Sequence, residues 1–312
     1  MKKVLFIFLC VFLSLFTLCS LLFLPAKSKE NKGEAASLLI WHIDGFEGGV
    51  GSRLSVLKKI ANEYMKNANV VMLVNAQTVN SAEENFKKGI YPDLISYSNG
   101  LNVPYDRLLS MPYEKDFEYA KPWCSGGYLI ISRANERYEN LIISQQLYTI
   151  PLLALNLSNV KAPIKSVTSS DKAIYEFYAN KKSALLGTQR DLFRLQNKGI
   201  SVEITPLRGF NDLYQYISVI SSDKNYENCI NFLNFLFTKC NQKGVINKIG
   251  MLTGKGYERE LCDVVLSPFG GVKYEYVTYP LINRYTVEKL QKQALNFQKE
   301  EESIKNALKR LK

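Results

Sequence analysis

Apolar and amphipathic stretches alternate along residues 38–100 and predict strand, helix, strand, helix, strand in that order. Residues 38–41 form a short apolar run that leads into a glycine-rich loop. The next stretch has apolar residues at helical spacing, namely Leu54, Leu57, Ile60, Ala61 and Tyr64. Residues 70–74 are all apolar, which predicts a strand buried on both faces. The order predicts an open α/β sheet, and such sheets bind ligands beyond the carboxyl ends of their strands.

The middle of the chain predicts a second, smaller region. Residues 121–132 combine a proline and paired glycines with a following strand, which indicates a crossover. Thr188 is a predicted N-cap with Asp191 at the third helical position. Further helices are predicted over residues 169–181, 225–237, 242–249 and 286–312, and further strands over 183–187, 202–206 and 214–221.

The amino terminus has the pattern of an export segment. Lys2 and Lys3 precede an apolar run over residues 4–24, which is long enough to cross a bilayer. Residues 1–26 are therefore predicted to be a signal peptide or a retained membrane anchor, and lipidation at Cys19 is a third alternative. Residues 27–37 are polar and predict a tether.

Composition narrows the function classes. The chain has 46% hydrophobic and 22% charged residues, which is typical of a globular protein. Its formal net charge is +11, but the lysines are scattered and no basic run exceeds two residues. A nucleic-acid binder more often shows a concentrated basic patch, so we predict a solvated basic surface and no nucleic-acid partner.

Residues that could carry catalysis or hold a cofactor are sparse. Beyond the leader the cysteines are Cys124, Cys229, Cys240 and Cys262, whose spacing matches no zinc or redox motif. We expect buried thiols, with the disulfide state left open. His42 is the only histidine, which excludes a multi-histidine metal site and favours a structural imidazole. With no serine-hydrolase elbow and no Walker lysine, we predict no cofactor, no metal and no enzymatic activity.

Five stretches together resemble one family: residues 38–49, 91–97, 126–132, 187–195 and 225–251. The most similar piece has residues 232–236 in one helix, then Asn241 and Gln242, then residues 249–251. The chain resembles the bacterial extracellular solute-binding proteins of family 1, the maltodextrin-binding-like components of ABC importers.

The resemblance implies a type II periplasmic-binding-protein-like clamp of the α/β class, with two lobes that are each a mixed sheet flanked by helices. Lobe 1 would comprise residues 38–125 and 206–255. Lobe 2 would comprise residues 126–205, with 256–312 as a candidate addition. It further implies an extracellular, cell-surface or periplasmic monomer that captures a small polar solute, with carbohydrate favoured. The partners would be permease subunits and their ATPase, with the membrane reached through residues 4–24.

The predicted ligand-binding residues lie at strand ends, in the loops that follow them or at the start of a helix. They are Trp41, Asp44, Phe46, Glu47, Tyr97, Trp123, Tyr128, Gln189, Arg190, Asp212, Tyr214 and Gln215. Aromatic faces can stack on a sugar ring, and carboxylates can accept hydrogen bonds from its hydroxyl groups. The guanidinium of Arg190 could bind a carboxylate or a hydroxyl pair.

Two other functions stay open at this stage. The same clamp could serve as a membrane-tethered sensor that reports its ligand to a kinase. A cell-wall glycan hydrolase would use Asp44 and Glu47 as its paired carboxylates, although nothing in the sequence indicates an opposed geometry for them. The sequence does not identify the ligand.

Overall fold

The computed structural model describes residues 35–43, 53–113, 115–145, 149–207, 209–210, 213–220, 223–240, 252–253, 258–260, 273–277, 288–289 and 292. The chain divides into two compact units, Met1–Ala35 and Ala36–Lys312. All the described residues except Ala35 lie in the second unit. The predicted leader, Cys19 and the helix expected over residues 242–249 lie outside the described residues.

The helices alternate with strands through most of the described chain. The α-helices are α1 (Arg53–Met65), α2 (Val79–Lys87), α3 (Pro151–Leu157), α4 (Ser170–Ala179), α5 (Gln189–Asn197) and α6 (Tyr226–Cys240). Short 3₁₀ turns cover Tyr105–Arg107, Lys115–Phe117 and Asp223–Asn225. Of the helix predicted over residues 286–312, Glu288, Lys289 and Lys292 are described, and they are helical.

The strands in chain order are β1 (Ala36–Ile43), β2 (Val70–Gln77), β3 (Leu94–Ser98), β4 (Leu108–Leu109), β5 (Lys121–Ser125), β6 (Tyr128–Arg133), β7 (Asn140–Ser144), β8 (Ile164–Thr168), β9 (Ser183–Thr188), β10 (Val202–Pro206), β11 (Gly209–Phe210), β12 (Gln215–Ile220), β13 (Leu252–Thr253), β14 (Glu258–Glu260) and β15 (Lys273–Val277). They form a first sheet in the order β13-β5-β12-β3-β1-β2, with β4 also paired to β12. A second sheet has the order β10-β6-β9-β7-β8, and a small third one has β11-β15-β14.

The two large sheets repeat one arrangement. In the first sheet β1 pairs in parallel with β2 and β3, and β12 then pairs antiparallel with β3. In the second sheet β7 pairs in parallel with β8 and β9, and β6 then pairs antiparallel with β9. Two mixed sheets flanked by helices confirm the predicted fold class.

Two short links join the sheets. Gly126 and Gly127 connect β5 to β6, and residues 207–214 lead from β10 back to β12. Backbone hydrogen bonds tie the two links together. Gly126 N donates to Leu213 O at 3.0 Å, and Leu207 N donates to Tyr128 O at 3.1 Å. The predicted crossover at residues 121–132 thus carries the chain from one sheet to the other.

Three apolar clusters hold the elements together. The largest contains one face of the first sheet, residues of α1, α3 and α6, and part of the second sheet. The other face of the first sheet packs against α2 around Trp41 and Phe86, and the second sheet packs against α4 and α5 around Phe177. Cys124, Cys229 and Cys240 are buried, as predicted, and none of them forms a disulfide, a state that the sequence left open. Cys262 lies outside the described residues.

Two predictions about local burial and boundaries are wrong. The strand at residues 70–74 was expected to be buried on both faces, yet Val71 and Leu73 are 48% and 55% exposed. The reason is that β2 lies at the sheet edge, where one of its faces meets solvent. The tether predicted to end at residue 37 ends earlier, because Ala36 and Ser37 already pair with β2.

In the part of the chain that the structure describes, no helix combines the length and apolar character needed to cross a bilayer. Over the same residues, no group of three or more histidine, cysteine, aspartate or glutamate side chains is arranged to hold a metal ion.

A capping box fixes the start of α5, as the sequence predicted. Thr188 Oγ1 accepts from the backbone of Asp191, and the Asp191 carboxylate accepts from Thr188 N at 2.8 Å. Asp191 also accepts a 2.6 Å hydrogen bond from Ser170 Oγ, which ties α5 to α4. A Cβ at Gly187 would lie 2.7 Å from Asp191 Oδ2, so glycine is needed for this close approach.

We expect Asp191→Ala to lower the free energy of unfolding by about 2–3 kcal/mol, because it removes a cap and leaves buried donors without partners. Urea denaturation measures the change. The matched control is Asp171→Ala on the neighbouring helix, whose side chain is 95% exposed and should matter by less than about 0.5 kcal/mol. Equal effects of the two substitutions would contradict the structural role given to Asp191.

Candidate functional site

One face of the first sheet changes from apolar to polar at the carboxyl ends of its parallel strands. Ile40 and Leu94 are aligned neighbours on β1 and β3, and two residues later His42 and Ser96 are aligned. Because side chains alternate along a strand, His42 and Ser96 lie on the same face as the apolar pair before them. This edge is where an α/β sheet binds ligands.

Ser96 is the centre of a buried polar group that we call the Ser96 cluster (His42, Ser96, Trp123 and Gln215). Trp123 Nε1 donates to Ser96 Oγ at 3.0 Å, and Gln215 Nε2 donates to the same oxygen at 3.0 Å. Gln215 Nε2 also donates to Ile43 O at 3.1 Å, which fixes the orientation of this amide. His42 Nδ1 lies 3.1 Å from Ser96 Oγ.

These contacts determine the tautomer of His42. A serine oxygen can accept two hydrogen bonds and donate one. Trp123 Nε1 and Gln215 Nε2 are both donors and therefore use its acceptor capacity. The Ser96 hydroxyl proton must then go to His42 Nδ1, so the proton of the neutral imidazole lies on Nε2.

Burial keeps this imidazole neutral. It lowers the pKa of His42 to about 3, and the nearby charge of Arg53 adds to the effect. His42 Nε2 is buried and has no hydrogen-bond partner among the described residues, and the same holds for Gln215 Oε1. Asn99, just beyond the end of β3, is also buried with both amide atoms unpartnered.

Two buried arginines lie near this edge. Arg53 opens α1 after β1, Arg190 is in the first turn of α5 after β9, and their exposures are 2% and 6%. Burial lowers the pKa of Arg53 to about 9; the neighbouring Cys124 thiol opposes that shift and the charge of Arg190 adds to it. The region therefore combines two buried cationic side chains with the buried polar atoms of His42, Asn99 and Gln215 that have no partner among the described residues.

Gln189 was predicted to bind ligand, and the structure places it at the link between the sheets. Its Oε1 accepts from Gly127 N at 2.6 Å, and its backbone N donates to Gly127 O at 3.0 Å. A Cβ on Gly126 would lie 2.9 Å from Gln189 Oε1. Gln189 thus joins the start of α5, and with it Arg190, to the β5–β6 link.

The predicted aromatic residues divide between two faces of the first sheet. Trp123 joins the Ser96 cluster, whereas Trp41, Tyr97 and Tyr214 lie in the apolar cluster beside α2. There Trp41 stacks on Phe86 with ring centroids 5.8 Å apart, and Tyr97 OH bonds Ser218 Oγ at 3.1 Å. Tyr128 is buried in the largest cluster.

Asp44, Phe46, Glu47 and Asp212 lie outside the described residues. The structure therefore brings Trp123, Gln215 and Arg190 to the site edge from the predicted set.

Sequence reasoning missed Arg53, Ser96 and Asn99, and it assigned His42 a purely structural role. One signal could have found Arg53. A basic residue at the first position of a helix opposes the helix dipole, so its presence there calls for a compensating negative charge. Nothing in the local sequence marks Ser96 or Asn99, since their importance depends on strand pairing.

No family model matches the chain, and no curated protein matches it. Among the solved structures that resemble it is one titled "substrate binding domain of putative molybdenum ABC transporter from Clostridium difficile". The identity is 18%, the TM-score is 0.49, and the alignment covers 70% of this chain and 99% of that one.

Ser96→Ala should destabilise the protein by about 3 kcal/mol, because it removes three buried hydrogen bonds at once. The control is Ser218→Ala, also buried in the first sheet, which loses its bond to Tyr97 and should cost about 1 kcal/mol. Urea denaturation at neutral pH compares the two. A smaller effect at Ser96 than at Ser218 would refute the central position of the Ser96 hydroxyl.

His42 should make stability depend on pH in a defined window. Its pKa is about 3 when folded and 6.5 ordinarily, so the unfolded chain binds an extra proton between these values. The free energy of unfolding therefore falls as pH falls, by about 2 kcal/mol from pH 7 to pH 5. His42→Gln removes the only imidazole of the chain and should remove this difference. Stability curves of the two proteins that stay parallel over pH 5–7 would exclude a buried neutral His42.

Proposed function

We propose that this chain is the extracellular solute-binding component of an ABC importer, which binds a small polar solute and delivers it unchanged to a membrane permease. The observation that carries the proposal is the repeated strand order of the two large sheets, together with the hydrogen bond between the two links that join them. Such a pair of sheets presents two sets of strand ends to one solute. The Ser96 cluster, Arg53 and Arg190 supply polar groups at those ends.

In this proposal the sheets belong to two lobes, residues 38–125 with 206–255 and residues 126–205, and the links between them act as hinges. A solute that touches both lobes only in the closed form shifts the population toward that form. Closure about a few linking residues is a known mode of domain motion. Gln189 supports the assignment, because it attaches the first turn of α5 directly to the Gly126–Gly127 link.

The export pattern over residues 4–24 supports a position outside the cytoplasmic membrane, with permease subunits and their ATPase as partners. Carbohydrate stays a prediction for the ligand. Trp123 is the aromatic residue at the site that could serve a sugar, although its ring nitrogen is already committed to Ser96. The positive charge of Arg53 and Arg190 makes anions the competing class.

A thermal-shift screen of the purified full chain tests the binding function. The panel contains sugars, polyols, amino acids, peptides and inorganic oxyanions, molybdate among them. We expect one class to raise the melting temperature, because a ligand at 100 times its Kd stabilises the native state by about 2.7 kcal/mol.

Uptake then separates transport from sensing. Deleting the gene should abolish uptake of the labelled solute, and restoring the wild-type gene should recover it. A panel in which no class shifts the melting temperature would count against a solute-binding function. Binding without any effect on uptake would favour the sensor.

A further inference from the structure

We infer that Gln189 positions the pivot of the clamp: it fixes Gly127 to the second sheet, so that the first link turns at Gly126. The inference rests on the proposed function and deepens it, because it names the residue that decides where one lobe moves relative to the other. Three observations carry it. They are the hydrogen bonds of Gly127, the strand pairing on either side of the link, and the close packing around Gly126.

Both backbone groups of Gly127 are bound to the first turn of α5. Gly127 N donates to Gln189 Oε1 at 2.6 Å, and Gln189 N donates to Gly127 O at 3.0 Å. The side chain of Gln189 is fully buried, and a hydrogen bond away from water holds its partners more firmly than an exposed one. The capping box of Thr188 and Asp191 fixes the start of the same helix. Gly127 therefore moves with the second sheet, although it lies in the link.

The chain passes from one sheet to the other over a single residue. Ser125 still pairs within the first sheet, and Tyr128 already pairs within the second. Because Gln189 holds Gly127, only Gly126 remains between the two bodies. Domain closure concentrates its change of φ and ψ in a few linking residues of this kind. The side chain of Gln189 thus narrows the pivot of the first link to one position.

The second link is tied to the same point. Gly126 N donates to Leu213 O at 3.0 Å, just before β12 of the first sheet. At the other end of this link, Leu207 N donates to Tyr128 O at 3.1 Å, which attaches it to the second sheet. The hydrogen bond between the two links makes them turn together.

Gly126 has no room for a side chain. A Cβ there would lie 2.9 Å from Gln189 Oε1 and 3.0 Å from the Cβ of Leu213. The backbone of Gly126 is not in the left-handed region, so an alanine at this position acts through these contacts and not through backbone strain. Its methyl group would press on Gln189 on one side and on the second link on the other.

The first measurement follows the distance between the lobes of the full chain by pulsed electron spin resonance. Spin labels are placed at Lys59→Cys on α1 and Tyr175→Cys on α4, two exposed helix positions. The cysteines outside the described residues are replaced by serine, and the three buried ones are kept. Gln189→Met keeps the size of the side chain but removes the acceptor for Gly127 N. It should roughly double the width of the distance distribution, because the link then turns at a second residue.

The matched control is Gln196→Met, two turns further along α5, which should leave the distribution as in the wild type. A label pair within the second lobe, Tyr175→Cys with Lys198→Cys, should give the same distances with and without Gln189→Met. A merely structural glutamine would instead loosen the lobe itself. Hydrogen exchange measured by mass spectrometry should become faster in peptides that contain Gly127, because its amide loses a buried acceptor.

Gly126→Ala tests the same pivot if Gln189→Met does not fold. Its methyl group must move Gln189 and Leu213 apart, so the mean distance between the lobes should shift while the pair within the second lobe stays unchanged. A mean distance equal to that of the wild type would overturn the inference.

The outcomes separate this inference from the proposed function. A distance distribution between the lobes that Gln189→Met leaves unchanged would overturn the inference, and so would one that broadens together with the pair inside the second lobe. Unchanged exchange at Gly127 would overturn it as well. None of these results bears on solute binding, which the thermal-shift panel tests on the unlabelled protein. No response to any solute class there would count against the proposed function, whatever the label distances show.

Discussion

The hydroxyl of Ser96 is the constraint on which the proposed site depends. It accepts from Trp123 and Gln215 and has one proton left, which goes to His42. These contacts connect β1, β3, β5 and β12, which are neighbouring strands of the first sheet. One small side chain therefore fixes the position of a tryptophan, the orientation of an amide and the tautomer of an imidazole. A buried network of this kind specifies a single arrangement only when its central hydroxyl makes all the hydrogen bonds that it can donate and accept.

The repeated strand order places helix starts after parallel strands in both large sheets. In each large sheet the parallel strands end in the same direction, and a helix begins after the first strand in one case and after the third in the other. Arg53 and Arg190 occupy those helix starts. The paired glycines at the link let the backbone pass beside Gln189, so that the second arginine is attached directly to the connection between the sheets. The start of α5 and the link between the sheets are thus joined through Gln189.

The sequence was sufficient for features that depend on local physics. The α5 capping box, the alternation of strands and helices and the glycine crossover all follow from patterns within a few residues. Features that depend on pairing were not accessible. The apolar composition of β2 could not reveal that it is an edge strand. The alternation of side chains along a strand could not show which face of the sheet Trp41 and Trp123 each join. The aromatic residues were therefore predicted together, although pairing separates them.

The absence of an apparent motif around Arg53 has a physical reason. A ligand site built from one residue per element leaves no spacing pattern, because each residue contributes through the end of a different strand or helix. What such a residue does leave is a local conflict, here a buried cation at the positive end of a helix dipole. Natural sequences agree with their fold at most positions, and the exceptions concentrate where function requires them.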